Sequence, residues 1–159
     1  MCWYGREDNM KIADKDTTVY KILRKTERNG KMHYQGPLFC KPYDMKYKYH
    51  TNLGLVPKNA PFLEINTGFH CYSKNVIVTA DKAHKLLTAY SKDKKMLLRL
   101  YYDPSVSAAL IKCTIPKGTT YYENYSGEIV TDTIIIEEEL EIPNDIIIDI
   151  TEEEYFLYN

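Results

Sequence analysis

Apolar and polar residues alternate along much of this chain with a period of two, which is the pattern of a β-strand with one buried face. Thr17–Leu23 is a β-branched and aromatic run bounded by charged residues, and it predicts a strand that ends before a loop over Lys25–Gly30. The segment 43–50 predicts a half-solvated strand, because alternate positions carry Tyr43, Met45, Tyr47 and Tyr49 on one face and Asp44, Lys46, Lys48 and His50 on the other.

More strands are predicted beyond a loop at Thr51–Pro61, which is rich in Asn, Gly and Pro. The loop leads through Phe62–Asn66 to the first of them. They fall at Gly68–Tyr72, Met96–Tyr102, Val106–Ile115, Thr119–Tyr122, Glu128–Val130 and Thr133–Glu138, with a turn at Asn124–Gly127. Ile134–Ile136 is apolar on both faces, which predicts a central place in a sheet. Ile146–Ile148 echoes this run, and we interpret the two as arms of a hairpin. An exposed isoleucine-rich edge there would let two copies pair as a homodimer.

The segment Asp81–Ser91 predicts a helix, because Ala83, Leu86, Leu87 and Tyr90 recur at intervals of three to four residues. One main helix among many strands predicts a β-rich α+β fold with a mostly antiparallel or mixed sheet. A chain of 159 residues has the length of a single domain with a core of its own. Residues 139–159 are expected to form an acidic C-terminal extension of that domain.

The four cysteines of the chain are far apart, and no Cys-x-x-Cys pair or zinc-type spacing with histidine occurs. We therefore expect no metal and no cofactor. Cys71 and Cys113 lie in apolar strand-like runs, where a free cysteine behaves as a small apolar residue, and this favours a reducing cytoplasm. No apolar run approaches the roughly 18 residues of a membrane span.

Charge is distributed very unevenly. Residues 118–159 contain no Lys or Arg and twelve of the 22 acidic residues, whereas residues 1–117 contain all 21 basic residues. The acidic segment either pairs with the basic part of the fold or presents a surface to a basic partner protein. For the second case we expect partner-binding residues at Glu137, Glu138, Glu139 and Glu141.

A second candidate site is the junction Gly68–Ser73, which brings a histidine, a thiol and hydroxyl groups into six residues. We expect His70 and Tyr72, together with Tyr20 and Lys21, to bind a small ligand. The alternative is that His70 makes one structural hydrogen bond. The basic, Tyr-rich stretch Lys41–His50 suggests single-stranded nucleic acid as a further alternative, although its Lys and Tyr residues fall on opposite faces of the predicted strand.

Several short motifs resemble those of a family of small uncharacterised proteins from gut Bacteroidota and their phages. They are Met1–Cys2–Trp3, Lys11–Ile12–Ala13, Val19–Tyr20–Lys21, Gly68–Ser73 and Lys112–Tyr122. The resemblance spans most of residues 1–138 and carries no activity with it. Because no nucleophile and base pair, metal cluster or phosphate loop appears in the sequence, we expect a small phage-encoded or phage-derived accessory protein that binds a host protein, a phage protein or a small ligand.

The order of features also resembles that of ADP-ribosyltransferases, which use NAD. That resemblance implies Arg24, Ser73 and Glu128 as catalytic residues, with Arg24 on a phosphate of NAD and Glu128 on a ribose hydroxyl and the developing oxocarbenium charge. The chain departs from the family pattern, because Gly68–Ser73 lacks its Ser-Thr-Ser sequence and Ser126 stands where that family has Glu or Gln. We therefore expect a binding protein, with an NAD-using enzyme as the alternative.

Overall fold

The computed structural model describes residues 3–36, 42–73, 86–91, 97–101, 107–125, 127–140 and 146–148. Sixteen strands lie in these ranges: β1 Trp3–Arg6, β2 Met10–Ile12, β3 Thr17–Arg28, β4 Lys31–Gln35, β5 Pro42–Tyr43, β6 Lys48–His50, β7 Leu55–Pro57, β8 Phe62–Ile65, β9 Phe69–Tyr72, β10 Leu86–Ser91, β11 Leu97–Tyr101, β12 Ser107–Ile115, β13 Thr120–Glu123, β14 Glu128–Thr131, β15 Thr133–Leu140 and β16 Ile146–Ile148. A 3-10 turn at Glu7–Asn9 is the one helical element in the described ranges.

The strands form three sheets. Two have three strands each, in the orders β1-β8-β7 and β11-β10-β16. The largest has ten strands and follows the path β2-β13-β14-β9-β3-β12-β15-β6, with β4 beside β3 and β5 beside β4. The fold is therefore almost entirely β, and the predicted α+β class with one main helix is wrong.

The helix prediction failed at Leu86–Ser91, which is strand β10. This strand is paired on both sides, with β11 and with β16, so its backbone groups are satisfied across the sheet. A short apolar run fits helical and strand periodicity equally well, and the backbone pairing decides between them. Residues 81–85 of the predicted helix lie outside the described residues.

The chain divides into two compact units that alternate along the sequence. The first contains residues 1–21, 45–74 and 112–138, and the second contains residues 22–44, 75–111 and 139–159. In the described ranges, no helix has the length and apolar character needed to cross a membrane.

In the first unit, the β1-β8-β7 sheet packs its inner face against β13 and β14. The cluster between them contains Trp3, Leu63, Ile65, Tyr122 and Val130, all buried. The Trp3 and Tyr122 rings meet at a centroid distance of 5.7 Å. Burial of such large apolar side chains contributes roughly 1.5–3 kcal/mol each, so this cluster fixes the position of β14.

The face of β9 that carries Phe69 and Cys71 also lies in a core. Phe69 and Cys71 alternate inward there, and the Phe69 ring lies 6.4 Å from that of Tyr49 on β6. Four strand-to-strand steps separate β9 from β6 in the sheet, so this ring contact requires a strongly curled sheet within the first unit. Ile134 and Ile136 of β15 are fully buried, and β15 is paired on both sides, as predicted for a central strand.

In the second unit, β3 continues past the predicted end of its strand and turns directly into β4. Arg28 pairs with Lys31, so the loop between them consists of Asn29 and Gly30 alone. Both have positive φ, at 54° and 74°. These angles define a type I′ turn, whose twist matches that of a hairpin. The predicted loop at Lys25–Gly30 is therefore wrong for all but its last two residues.

Three further expectations need correction. Segment 43–50 is broken by a turn at Met45–Lys46, where Lys46 has a φ of 68°, and the strand resumes only at Lys48. The predicted loop at Thr51–Pro61 contains β7. Ile146–Ile148 pairs with β10 and not with Ile134–Ile136, so the predicted hairpin is wrong, whereas the predicted homodimer stays a prediction.

The left-handed conformation of Gly30 in the β3–β4 turn can be tested by substitution. No atom lies within 4 Å of the position of a Cβ added at Gly30, so Gly30→Ala introduces no clash. The left-handed conformation alone should lower the free energy of unfolding by about 1–2 kcal/mol, measured by urea denaturation. Lys31→Ala, on the exposed neighbour, is the control and should change it little. An unchanged stability in Gly30→Ala would contradict this turn.

Candidate functional site

Strand register brings two tyrosine side chains and one glutamate side chain into one line on the first unit. Tyr72 of β9 lies opposite Tyr20 of β3 on one side and opposite Glu128 of β14 on the other. Residues directly opposite each other in antiparallel strands point to the same face, so the three side chains project together. We call this set the Tyr20–Tyr72–Glu128 row.

The row lies on a partly accessible part of the sheet. Tyr20, Tyr72 and Glu128 are each half-buried, as is His70, which lies two residues before Tyr72 and therefore on the same face. His70 pairs with the buried Val130. The row therefore continues the face on which Val130 joins the Trp3 cluster, and its carboxylate, phenol rings and neighbouring imidazole each keep part of their surface exposed.

Lys21 does not belong to this group, contrary to its place in the predicted ligand-binding set. It follows Tyr20 directly in β3, so it points to the opposite face, where it is 7% exposed. Its ammonium group donates a hydrogen bond to the carbonyl oxygen of His70. The predicted set therefore separates into Tyr20, His70 and Tyr72 on one face and a buried structural lysine on the other.

The two thiols near Lys21 are poorly suited to nucleophilic chemistry. Burial raises the pKa of Cys71 far above its usual value, although the charge of Lys21 opposes the shift. Burial likewise raises the pKa of Cys113 to about 12. Because the thiolate is the reactive form, both cysteines are held as neutral, buried thiols.

The backbone of Glu128 is fixed by two side chains. Its N–H donates to Asn124 Oδ1 at 3.1 Å, and its carbonyl oxygen accepts from Trp3 Nε1 at 2.8 Å. The turn before it is closed by the Gly127 N–H, which donates to the Asn124 carbonyl oxygen at 2.9 Å. The carboxylate therefore extends from a fixed point on the sheet. Sequence reasoning missed the Trp3 contact, since an indole hydrogen bond across 125 residues leaves no local pattern. It predicted the turn at Asn124–Gly127 but not the bond from the Glu128 N–H to the Asn124 side chain.

The predicted catalytic residues are brought together in part. The Ser73 N–H donates to the Gly127 carbonyl oxygen at 3.2 Å, which places Ser73 beside the strand end that carries Glu128. Arg24 lies in β3 opposite Gln35 of β4, and its side chain is outside the described part of the structure. The structure thus places the Ser73 backbone beside Gly127, which precedes Glu128, and leaves Arg24 as a prediction.

The predicted partner-binding acids are engaged to different extents. Glu139 accepts hydrogen bonds from Lys25 Nζ at 2.7 Å and from the Tyr34 hydroxyl at 2.6 Å. A carboxylate oxygen of Glu137 lies 4.0 Å from Lys46 Nζ. Glu138 is exposed, and Glu141 lies outside the described residues.

Acidic residues from the C-terminal segment thus pair with basic residues from the rest of the chain. Lys11 and Glu123 add a third such pair, at 3.0 Å. These three carboxylates therefore fit the expectation that the acidic segment pairs with the basic part of the fold. Each pair contributes little by itself at the surface, about 0–1 kcal/mol.

The basic stretch before His50 does not form the stacking surface that single-stranded nucleic acid requires. Tyr43 is buried, Tyr49 is half-buried and contacts Phe69, and Tyr47 is exposed. Successive aromatic rings of this stretch therefore do not share one open face.

Within the described residues, no three His, Cys, Asp or Glu side chains cluster in a way that could hold a metal ion. Comparisons with family models, with curated proteins and with solved structures found no match to this chain.

The contacts of Glu139 with Lys25 and Tyr34 predict that the stability of the fold depends on pH in both the acidic and the alkaline range. Burial, the hydrogen bond to Glu139 and the charge of Glu139 raise the pKa of Tyr34 to about 12 from an ordinary value of 10.0. Burial would raise the pKa of Glu139, but hydrogen bonds from Lys25 and Tyr34 outweigh it and lower that pKa. Tyr34 therefore stabilises the fold below pH 10 and loses that contribution between about pH 10 and 12. Glu139 loses its contribution as the pH falls through its lowered pKa.

The measurement is a titration of the tyrosine ring carbons by NMR. Glu139→Gln should move the pKa of Tyr34 part of the way back toward 10, because burial remains, whereas Glu138→Gln should leave it in place. An unchanged pKa of Tyr34 in Glu139→Gln would contradict the network.

Proposed function

We propose that this protein is a binding protein that holds a cationic group of a basic partner against the Tyr20–Tyr72–Glu128 row. The observation that carries the proposal is the strand register, which lines up two phenol rings and one carboxylate on a half-buried face. Aromatic faces attract cations through the ring quadrupole, by about 0.5–2 kcal/mol each. A carboxylate adds a charge-assisted hydrogen bond.

The ion pairs that Glu137 and Glu139 form within the chain support the row as the binding site for the partner. Glu137 and Glu139 already face lysines of the same chain, and breaking these pairs would oppose the binding of a partner there. The side chain of Glu128 has no ion pair with another described residue, although Glu128 lies in the same acidic segment. The basic partner expected from charge is therefore best placed at the row.

The wider role follows from the resemblance to small proteins of Bacteroidota and their phages. In this proposal the chain is a phage-encoded accessory protein that occupies a basic surface of a host or phage protein and carries out no reaction. The two buried free thiols, Cys71 and Cys113, favour the bacterial cytoplasm as its compartment.

Replacement of Glu128 by Gln tests the proposal. The variant keeps the size of the side chain and both backbone hydrogen bonds, and it removes only the charge. Binding of fluorescent alternating Gly-Arg and Gly-Lys peptides, measured by anisotropy at low salt, should weaken roughly tenfold in Glu128→Gln for at least one of the two.

Glu138→Gln is the matched control, since it removes one carboxylate charge from an exposed position outside the row. It should weaken binding only slightly, and the difference in affinity from the wild-type protein should disappear when salt is added, because salt screens exposed charges. Equal losses in the two variants would mean that the peptides respond to overall charge, and the proposed site would then be wrong.

A second candidate function is NAD-dependent ADP-ribosyl transfer, which the contact between Ser73 and the strand end of Glu128 favours. Here Glu128 would hold a ribose hydroxyl and stabilise oxocarbenium charge. Glu128→Gln should abolish release of nicotinamide from NAD while the circular dichroism stays unchanged. An absence of nicotinamide release by the wild-type protein in the presence of bacterial lysate would exclude this candidate.

A further inference from the structure

We propose that the cation held by the row is the guanidinium group of an arginine side chain, and that a lysine in the same position binds much more weakly. This inference rests on the proposed function, because it names the partner group of the same site. It follows from the ratio of rings to carboxylates, from the spacing of the strands and from the partial burial of the row.

The row offers one carboxylate and two rings. A guanidinium group can direct two parallel N–H groups at the oxygens of Glu128 and still present its flat faces to other groups. An ammonium group is a compact charge without a flat face, so it cannot stack on a ring while it directs two parallel N–H groups at the carboxylate. The chemistry of the row is therefore matched to a planar cation.

The spacing of the rings fits the same shape. Tyr20 and Tyr72 lie on adjacent strands, which are about 4.7–4.9 Å apart, and Glu128 lies one strand further along the same line. Side chains stand roughly perpendicular to a sheet, so the ring of Tyr72 rises between that of Tyr20 and the carboxylate. A guanidinium group that approaches Glu128 from the side of β9 meets the ring of Tyr72 first.

Partial burial adds to the discrimination. All three side chains of the row are half-buried, so a bound cation gives up part of its water. Arginine is more weakly hydrated than lysine, and its charge is delocalised over the plane that stacks. The loss of water therefore opposes the binding of lysine more than that of arginine.

The strand that carries Tyr72 is held in place from both directions. The Ser73 N–H is bonded to Gly127 on the β14 side, and the ammonium group of Lys21 in β3 is bonded to the carbonyl oxygen of His70. A planar, bidentate contact depends on such fixed geometry, because only then is little conformational freedom lost on binding.

The experiment compares the alternating Gly-Arg and Gly-Lys peptides on the wild-type protein at equal charge and equal salt. The Gly-Arg peptide should bind at least about tenfold more tightly. Tyr72→Leu, which removes the ring, should cut Gly-Arg affinity by about threefold to thirtyfold. The affinities of the two peptides should then be similar. Tyr72→Phe keeps the ring face and should retain the preference, and this controls for any loss of folding in Tyr72→Leu.

Each outcome bears on a different step. Equal affinity for the two peptides, with both still dependent on Glu128, would overturn the arginine preference and leave the proposed binding site standing. Loss of the preference in Tyr72→Phe would show that the hydroxyl and not the ring recognises the cation, and the inference would again be wrong. Binding that does not depend on Glu128 in either peptide would overturn the site itself.

Discussion

The buried ammonium group of Lys21 is the constraint on which the candidate site depends. A lysine that is 7% exposed has lost most of its water, and an unpaired charge there would cost several kcal/mol. Its hydrogen bond to the His70 carbonyl oxygen joins β3 to β9 in one register. Because side chains alternate along a strand, the same register turns Tyr20 to the opposite face, where it lies beside Tyr72. A slip by one residue would bury Tyr20 and expose Lys21.

The distribution of charge gains a physical meaning from the fold. In the strongly acidic C-terminal segment, Glu123, Glu137 and Glu139 each form an ion pair with a lysine of the same chain. These pairs neutralise charge that would otherwise repel within a crowded set of strands. Glu128 belongs to the same segment in sequence, but its contacts in the described structure are made by its backbone. Its carboxylate is therefore the one to which we assign a role in recognition.

Much of the β structure could be read from period-two alternation, as at Phe69–Tyr72 and Thr133–Leu140, because one face of each strand is buried. The pattern failed where short apolar runs lack a distinctive period. Leu86–Ser91 fits a helix equally well, and Ile146–Ile148 carries no information about its partner strand, which is β10. The Asn29–Gly30 pair was a readable hairpin signal that the charged residues around it obscured. The row itself could not be foreseen, because register between distant strands is set by packing.

The central claim is the register of β3, β9 and β14. The most direct measurement is a set of nuclear Overhauser effects between side-chain protons in the isotope-labelled protein. The structure predicts cross-strand effects between Tyr20 and Tyr72 and between Tyr72 and Glu128, with Lys21 near Cys71 on the other face. Effects that connect Lys21 with Tyr72 on the half-buried face would mean a register shifted by one residue, and the proposed site would not exist.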